Sequence, residues 1–345
     1  MEIRRLPVRR RSVTLEEVAQ AAEVSRPTAS VILNGARSGT RISDATRQRV
    51  LGMAATMGYR PNPIAQSLAT GRANRIGFYS GRARLDCRNP FFAEMLGGVF
   101  DGTEALGFDT LVHTTGVSES RMIDLVRGHA LDGLIVYATP GDPILPLLGE
   151  LRVPAVAIAD AICGIPSVTV DDSNGGMKLA EYLCSINHRH VLVKQAPFPP
   201  PSAIARVEAF ANTCESAGVR VTRSLEIWDG GGLSDEELKT LTEGNDRATA
   251  VMAWSDAVAE TVYENLIRVG LSVPGHVSVV GFDGFRHRHP PRCDLTTVRA
   301  PWASAGRGAV RLVHAQLSGE SVPPLTVLPV ALHIGDTTAP PKGTS

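Results

Sequence analysis

The stretch SRPTASVILN, Ser25 to Asn34, gathers side chains suited to reading a nucleic acid. A guanidinium such as that of Arg26 can donate two parallel hydrogen bonds to guanine O6 and N7, a contact worth about 1–3 kcal/mol of discrimination. Pro27 has no donor and adds only apolar contact, as with a thymine methyl. Thr28, Ser30 and Asn34 suit phosphate oxygens, contacts that position a protein without reading sequence. A second set of able residues ends apolar runs: Asp160 closes VPAVAIAD and Asp283 closes VSVVGFD. Catalytic arrangements are weaker. There is no Gly-x-x-x-x-Gly-Lys-Ser/Thr phosphate loop, and GVRVTRSLE and SGTRIS lack nucleophile-elbow spacing. His188 with His190, and His287 with His289, stand two apart without a third nearby ligand, so no metal and no cofactor is expected.

The elements that would carry the first set are helices. Thr14 precedes Glu17 by three residues, a capping-box spacing, and Val18, Ala19 and Ala22 follow at helical intervals. After a break at Glu23-Val24, Ser25 caps a second helix with Pro27 in its first turn, where a missing N–H does no harm. Ala29, Ile32 and Leu33 form its apolar stripe, and Asn34-Gly35 ends it. Ser43 caps a third helix over Asp44 to Met57, with Val50, Leu51, Ala54 and Met57 expected inward. Two short helices, a tight turn and a third helix make a helix-turn-helix, whose second helix enters the major groove.

Charge agrees. The 345 residues have no net charge, yet residues 1–75 hold 13 arginines against 5 acids and the remainder 22 basic residues against 30 acids. A head of +8 on a body of −8 points to a polyanion partner for the head alone. The arm MEIRRLPVRRRS either tracks phosphates or enters a minor groove, or is a solvated tail. It lacks the apolar stretch of a secretory signal. No apolar run reaches 18 residues, so no membrane span is expected. Five scattered cysteines without Cys-x-x-Cys spacing suit a reducing, cytoplasmic setting.

Between head and body, PNPIAQSLATGR reads as a helix of barely two turns, with Ile64, Ala65, Leu68 and Ala69 on one face. Helices under roughly 12–15 residues are marginal in water. From Arg75 onward, short apolar strands alternate with amphipathic helices, including helices near 90–107, 118–130, 174–186, 203–217 and 256–269. That alternation predicts an α/β fold of two lobes with parallel sheets, ligand lying at the strands' carboxyl ends.

TLEEVAQAAEVSRPTASVILNG, RISDATRQRVLGMAATMGYRPNPIAQSLATGR and IGFYS, followed by NPFFAEMLGGVFDGTEALGFD, DGLIVYA, HRHVLV, ARVEAF and VPGHVSVVGFDG, resemble the LacI/GalR family of bacterial repressors across residues 13 to 330. The resemblance implies a helix-turn-helix head at 13–59 after a basic arm at 1–12, and a hinge helix at 60–73. It implies a periplasmic-binding-protein-like domain at 74–345, with a first lobe of about 74–169 and 298–330 and a second of about 170–297. It implies a homodimer on a pseudo-palindromic double-stranded operator, no membrane, and affinity set by a small effector, most simply a carbohydrate. Arg26 and Pro27 stand at the family's principal base-reading positions. Asn62 falls in its hinge, and Leu68 at its minor-groove wedge. Two hinge helices ordered together on DNA would explain so weak an element. Val31 and Glu23 depart from the family's common arginine and glycine.

For the body the resemblance implies effector contacts from Asp160, Arg206 and Asp283, aromatic faces from Phe91 and Phe92, and further contacts from Ser202, Trp228 and Ser255. Carboxylates beside an arginine give directional, charge-assisted bonds to a polyol. SGRARLDCRNP, with Arg82, Arg84, Asp86 and Arg88, reads as a solvated loop or, alternatively, as a mouth for an anionic effector. APFPPPSA replaces a usual glycine-rich loop with a stiffer one. A sugar-binding module without DNA regulation, which requires export, and a helix-turn-helix protein with an enzymatic body are the rival readings.

Overall fold

The computed structural model describes residues 13–34, 42–62, 66–67, 70–81, 85–113, 130–225, 232–285 and 294–342. It contains two compact units, one built on the helices before residue 75 and one on the two sheets that follow. In the first, α1 (Leu15–Ala21), α2 (Arg26–Asn34) and α3 (Asp44–Met57) enclose a small core of Ala19, Ala22, Ala29, Ile32 and Val50. Thr14 and Glu17 complete the capping box, and Ser43 accepts from Thr46 N–H at 3.2 Å. The Arg49 Nε donates to the Ala22 carbonyl at 3.0 Å, tying α3 to the end of α1. Leu51, expected inward, is 42% exposed. Adjacent helical residues point about 100° apart, so with Val50 buried its neighbour turns outward.

In the second unit, the first sheet draws on β1 (Arg75–Ser80), β2 (Asp109–His113), β3 (Gly133–Tyr137), β4 (Ala155–Ala159) and β5 (Ser167–Val170), with α4 (Pro90–Ala105) between β1 and β2. Next come α5 (Asp172–Ser185), β6 (His190–Gln195), α6 (Pro201–Ser216), β7 (Arg220–Leu225), α7 (Asp235–Thr242), β8 (Ala250–Ala253), α8 (Asp256–Arg268), β9 (Ser278–Asp283) and β10 (Thr296–Arg299). The chain ends through α9 (Trp302–Leu317), β11 (Leu325–Leu328) and β12 (Ala331–His333). The strand orders are β11-β5-β4-β3-β1-β2 and β12-β10-β9-β8-β6-β7. The β1–β3, β3–β4, β4–β5 and β5–β11 pairs are parallel, as are β6–β7, β6–β8, β8–β9 and β9–β10; β10–β12 is antiparallel. Every residue of β4, β8 and β9 is buried, as in parallel sheets covered on both faces. The helix expected near 118–130 lies outside the described residues except at its last position.

Close helix packing sets the geometry. The helix α9 returns to the first sheet and packs on α4, where a Cβ at Gly98 would collide with the Ala303 carbonyl. On the second lobe, α5 packs on α6, and a Cβ at Gly176 would collide with the Arg206 carbonyl. The final segment joins the second sheet as well: Thr337 is buried, its carbonyl accepting from Val279 N–H and its hydroxyl donating to Val279 O.

Candidate nucleic-acid interface and ligand site

On α2, Arg26 and Pro27 are exposed in the first turn, as a base-reading pair must be. Arg26 meets Glu16 only at 3.7 Å, a surface pair that yields readily to a phosphate or base. Ser25 caps the helix, accepting from Thr28 N–H at 3.3 Å, with the two hydroxyls 2.8 Å apart. Thr28 and Ser30 are half-buried. Asn34 corrects the expectation of a phosphate contact: it is 6% exposed, its Nδ2 donates to Ser30 Oγ at 3.2 Å, and it lines a cavity with Gln66, Ser67, Thr70 and Arg72. The departure at Glu23 has a structural consequence, because φ there is +52°, a left-handed conformation that costs a side-chain-bearing residue about 1–2 kcal/mol.

Asn62 is exposed, and its carbonyl accepts from Gln66 N–H at 2.9 Å; Ser67 O accepts from Gly71 N–H at 2.8 Å. These i to i+4 bonds are helical. Leu68 lies outside the described residues. Beyond Gly71, Asp132 binds the segment twice, accepting from Ala73 N–H at 2.8 Å and from Arg75 N–H at 3.1 Å.

The body's charged residues meet at the carboxyl ends of both sheets. Asp160 follows β4 directly, is 3% exposed, and accepts from the Ser202 N–H at 2.7 Å, so the first turn of α6 on one lobe holds a carboxylate of the other. Its second oxygen, Oδ2, is buried with no hydrogen-bond partner. Arg206, also on α6 and 4% exposed, donates to Asp172 Oδ1 through Nε at 3.0 Å and Nη2 at 2.7 Å, and through Nη1 to Trp254 O at 2.9 Å. The guanidinium carbon sits 3.8 Å from the Phe282 ring centroid, and Nη1 is 3.8 Å from Asp283 Oδ1. Asp283 also accepts from Trp302 Nε1 at 3.2 Å. Beneath it, Asp256 accepts from Gly284 N–H, Phe285 N–H and the Thr297 hydroxyl.

Burial pushes all three facing carboxyls upward. Asp172 rises to about 6, with Arg206 pulling it back. Asp160 rises through burial against Ser202 and Arg206, and Asp283 rises well above the usual range through burial, with the Arg206 charge opposing. Two strand ends here are strained, with φ of +73° at Ala159 and +130° at Asp283. Strain of this kind gathers at functional sites.

An aromatic wall adjoins the carboxylates. The Phe91 centroid lies 4.8 Å from Trp302 and 5.6 Å from Tyr137. Phe91 and Tyr137 are half-buried, whereas Phe92 is buried in the lobe core, a correction to its expected place as a ligand-facing ring. Ser255 is corrected as well: it is buried, and its hydroxyl caps α8 by accepting from Val258 N–H at 3.4 Å. Trp228 lies outside the described residues, with Arg82, Arg84, His287 and His289. Arg88 pairs with Asp86 at 2.8 Å on the surface, as in a solvated loop. His188 bonds Thr249, and His190 bonds Asp246 O and Thr222, so both rings serve the second sheet.

Sequence reasoning missed Asp172, Tyr137, Trp254, Asp256 and Trp302. Each has a position that reads as structural: a helix start, a strand end or a core aromatic. The signal for Asp172 was its place just after a strand, in VTVDD.

Residues 14–62 match the profile of bacterial regulatory proteins of the lacI family, and residues 180–338 a periplasmic binding protein-like domain. The HTH-type transcriptional regulator CelR of Thermobifida fusca is 29% identical over 335 residues, 93% of this chain and 96% of the relative. The structure of a transcriptional regulator CelR–cellobiose complex is similar at 26% identity and a TM-score of 0.66, over 94% of this chain and 99% of that one. The Lac repressor dimer bound to operator and the anti-inducer ONPF shares the fold at 23% identity and a TM-score of 0.78, over 95% of this chain and 100% of that one. A three-helix reading head in one chain with a two-lobed parallel α/β body defines a DNA-binding transcriptional regulator. The chain carries a lacI-family head and a periplasmic-binding-protein-like body, and its relatives are HTH-type transcriptional regulators.

Proposed function

We propose that the protein is a cytoplasmic homodimeric repressor that binds a pseudo-palindromic operator and is controlled by a small carbohydrate held between its lobes. Residues 13–59 read major grooves through Arg26 and Pro27, residues 60–73 form the hinge with Leu68 as minor-groove wedge, and residues 74–345 bind effector and partner. The observation that carries the reading is the buried Asp160–Ser202 and Asp172–Arg206–Asp283 set, in which polar groups of both lobes converge at the strand ends. Charge-assisted bonds of this kind favour a polyhydroxylated ligand, and the similar CelR structure carries cellobiose. A ligand that shifts the lobes alters hinge stability, and so couples to operator affinity by a free energy that is typically 1–3 kcal/mol.

Fluorescence anisotropy on the intergenic DNA beside the gene, across a salt series and a panel of sugars, tests this directly. Saturable, salt-steep binding shifted by one sugar is expected. Leu68→Ala should weaken specific binding far more than non-specific binding; equal losses exclude the wedge. Asp283→Ala should abolish the effector response and keep operator affinity, and an unchanged dose response removes Asp283 from the site.

A further inference from the structure

Resting on the reading of this cluster as the effector site, we infer that the preferred effector carries a protonated amine beside its hydroxyl groups, as an aminated sugar does. Two buried carboxylates, Asp172 and Asp283, share one guanidinium, that of Arg206, and a third buried carboxyl, Asp160, accepts from the Ser202 N–H at the same strand ends. Among the described residues no second lysine or arginine is hydrogen-bonded to any of the three. Asp256, a further acid nearby, accepts from two backbone N–H groups and the Thr297 hydroxyl. The protein supplies one cation to this cluster, and burial meets the rest of the imbalance by favouring the protonated carboxyls.

The Asp160 Oδ2 sharpens the point. A carboxylate oxygen sealed from solvent without a donor is expensive to keep, and it is acceptor-only when ionised. A ligand N–H or O–H satisfies it; a ligand phosphate or carboxylate meets it with like charge. A neutral hydroxyl fills the acceptor alone, whereas an ammonium also draws the buried carboxyls into their ionised form and pairs with them. The adjoining half-buried rings of Phe91 and Tyr137 add to the same preference, because aromatic faces are negative and attract cations. This also decides against an anionic effector, the alternative raised by the arginines of SGRARLDCRNP.

Isothermal titration of the full-length protein with glucosamine, galactosamine and mannosamine, with their parent hexoses, N-acetyl derivatives and 6-phosphates, tests the inference. At least one hexosamine is expected to bind tenfold or more tighter than its parent and N-acetyl forms, with its 6-phosphate weaker than either. Asp160→Asn, which keeps shape and an acceptor but removes charge, is expected to cut that amine preference to threefold or less. Parent hexoses or phosphates binding as tightly as the amines overturn amine selection and leave the carbohydrate site standing. Silence from the entire panel overturns both.

Discussion

Arg206 shows how one residue can organise a site. Its guanidinium spans Asp172, the Trp254 carbonyl and the Phe282 face, and draws near Asp283. Removing it leaves two buried carboxylates without their cation, which in buried pairs costs about 3–5 kcal/mol. Arg206→Ala is therefore expected to lower the urea midpoint strongly and to abolish effector binding, while Arg206→Lys keeps the charge, loses the fork and falls between. A midpoint unchanged in Arg206→Ala would show the pair to be idle. His188 offers a separate residue-level test. Burial lowers its pKa from 6.5 to about 4, so between those values the unfolded chain holds a proton that the folded chain refuses. Stability from this group is complete above 6.5 and is lost as pH falls toward 4, on the order of 3 kcal/mol in all. The buried carboxyl groups with raised pKa act in the opposite direction, so the measurement is a difference: denaturant melts of wild type and His188→Gln should diverge as pH falls, the variant losing less.

At the scale of elements, the turn between α1 and α2 and the entry to β1 are the sensitive points. Glu23 occupies left-handed backbone, so Glu23→Gly should stabilise the head by about 1 kcal/mol, read as roughly fivefold slower amide exchange in α1 and α2. Faster exchange would contradict the strain. Asp132 holds the segment entering β1 through Ala73 and Arg75 N–H. Asp132→Ala frees both donors and should weaken operator binding several-fold, with the circular dichroism of the sheets unaltered. The helix-turn-helix was legible because capping at Thr14, Ser25 and Ser43 and the periodic alanines are local signals. Asn34 was misjudged for the same reason: its type suits phosphate, but its burial depends on what lies beside it in space.

For the whole molecule, packing distance governs chemistry. Gly176 lets α5 approach the α6 backbone at Arg206, and overpacking there typically costs 1–3 kcal/mol. Gly176→Ala should lower the melting temperature and effector affinity together, because it displaces the helix bearing Arg206. Gly52, in α3 with open space around it, should show the opposite sign, with Gly52→Ala raising stability by up to about 1 kcal/mol. Parallel losses at both positions would mean that helix contact is not the cause.

The sequence by itself determined the elements, their order, the basic head on an acidic body and three of the buried charges, Asp160, Arg206 and Asp283. These follow from periodicity, capping and composition, which act over a few residues, and from the resemblance they support. Only the tertiary structure paired Arg206 with Asp172, left Asp160 with an unanswered oxygen, made Ser255 a helix cap and sent Phe92 to the core. Those outcomes depend on which strand ends and helix turns meet across two sheets, and residues 34 to 48 positions apart in sequence carry no local mark of becoming neighbours.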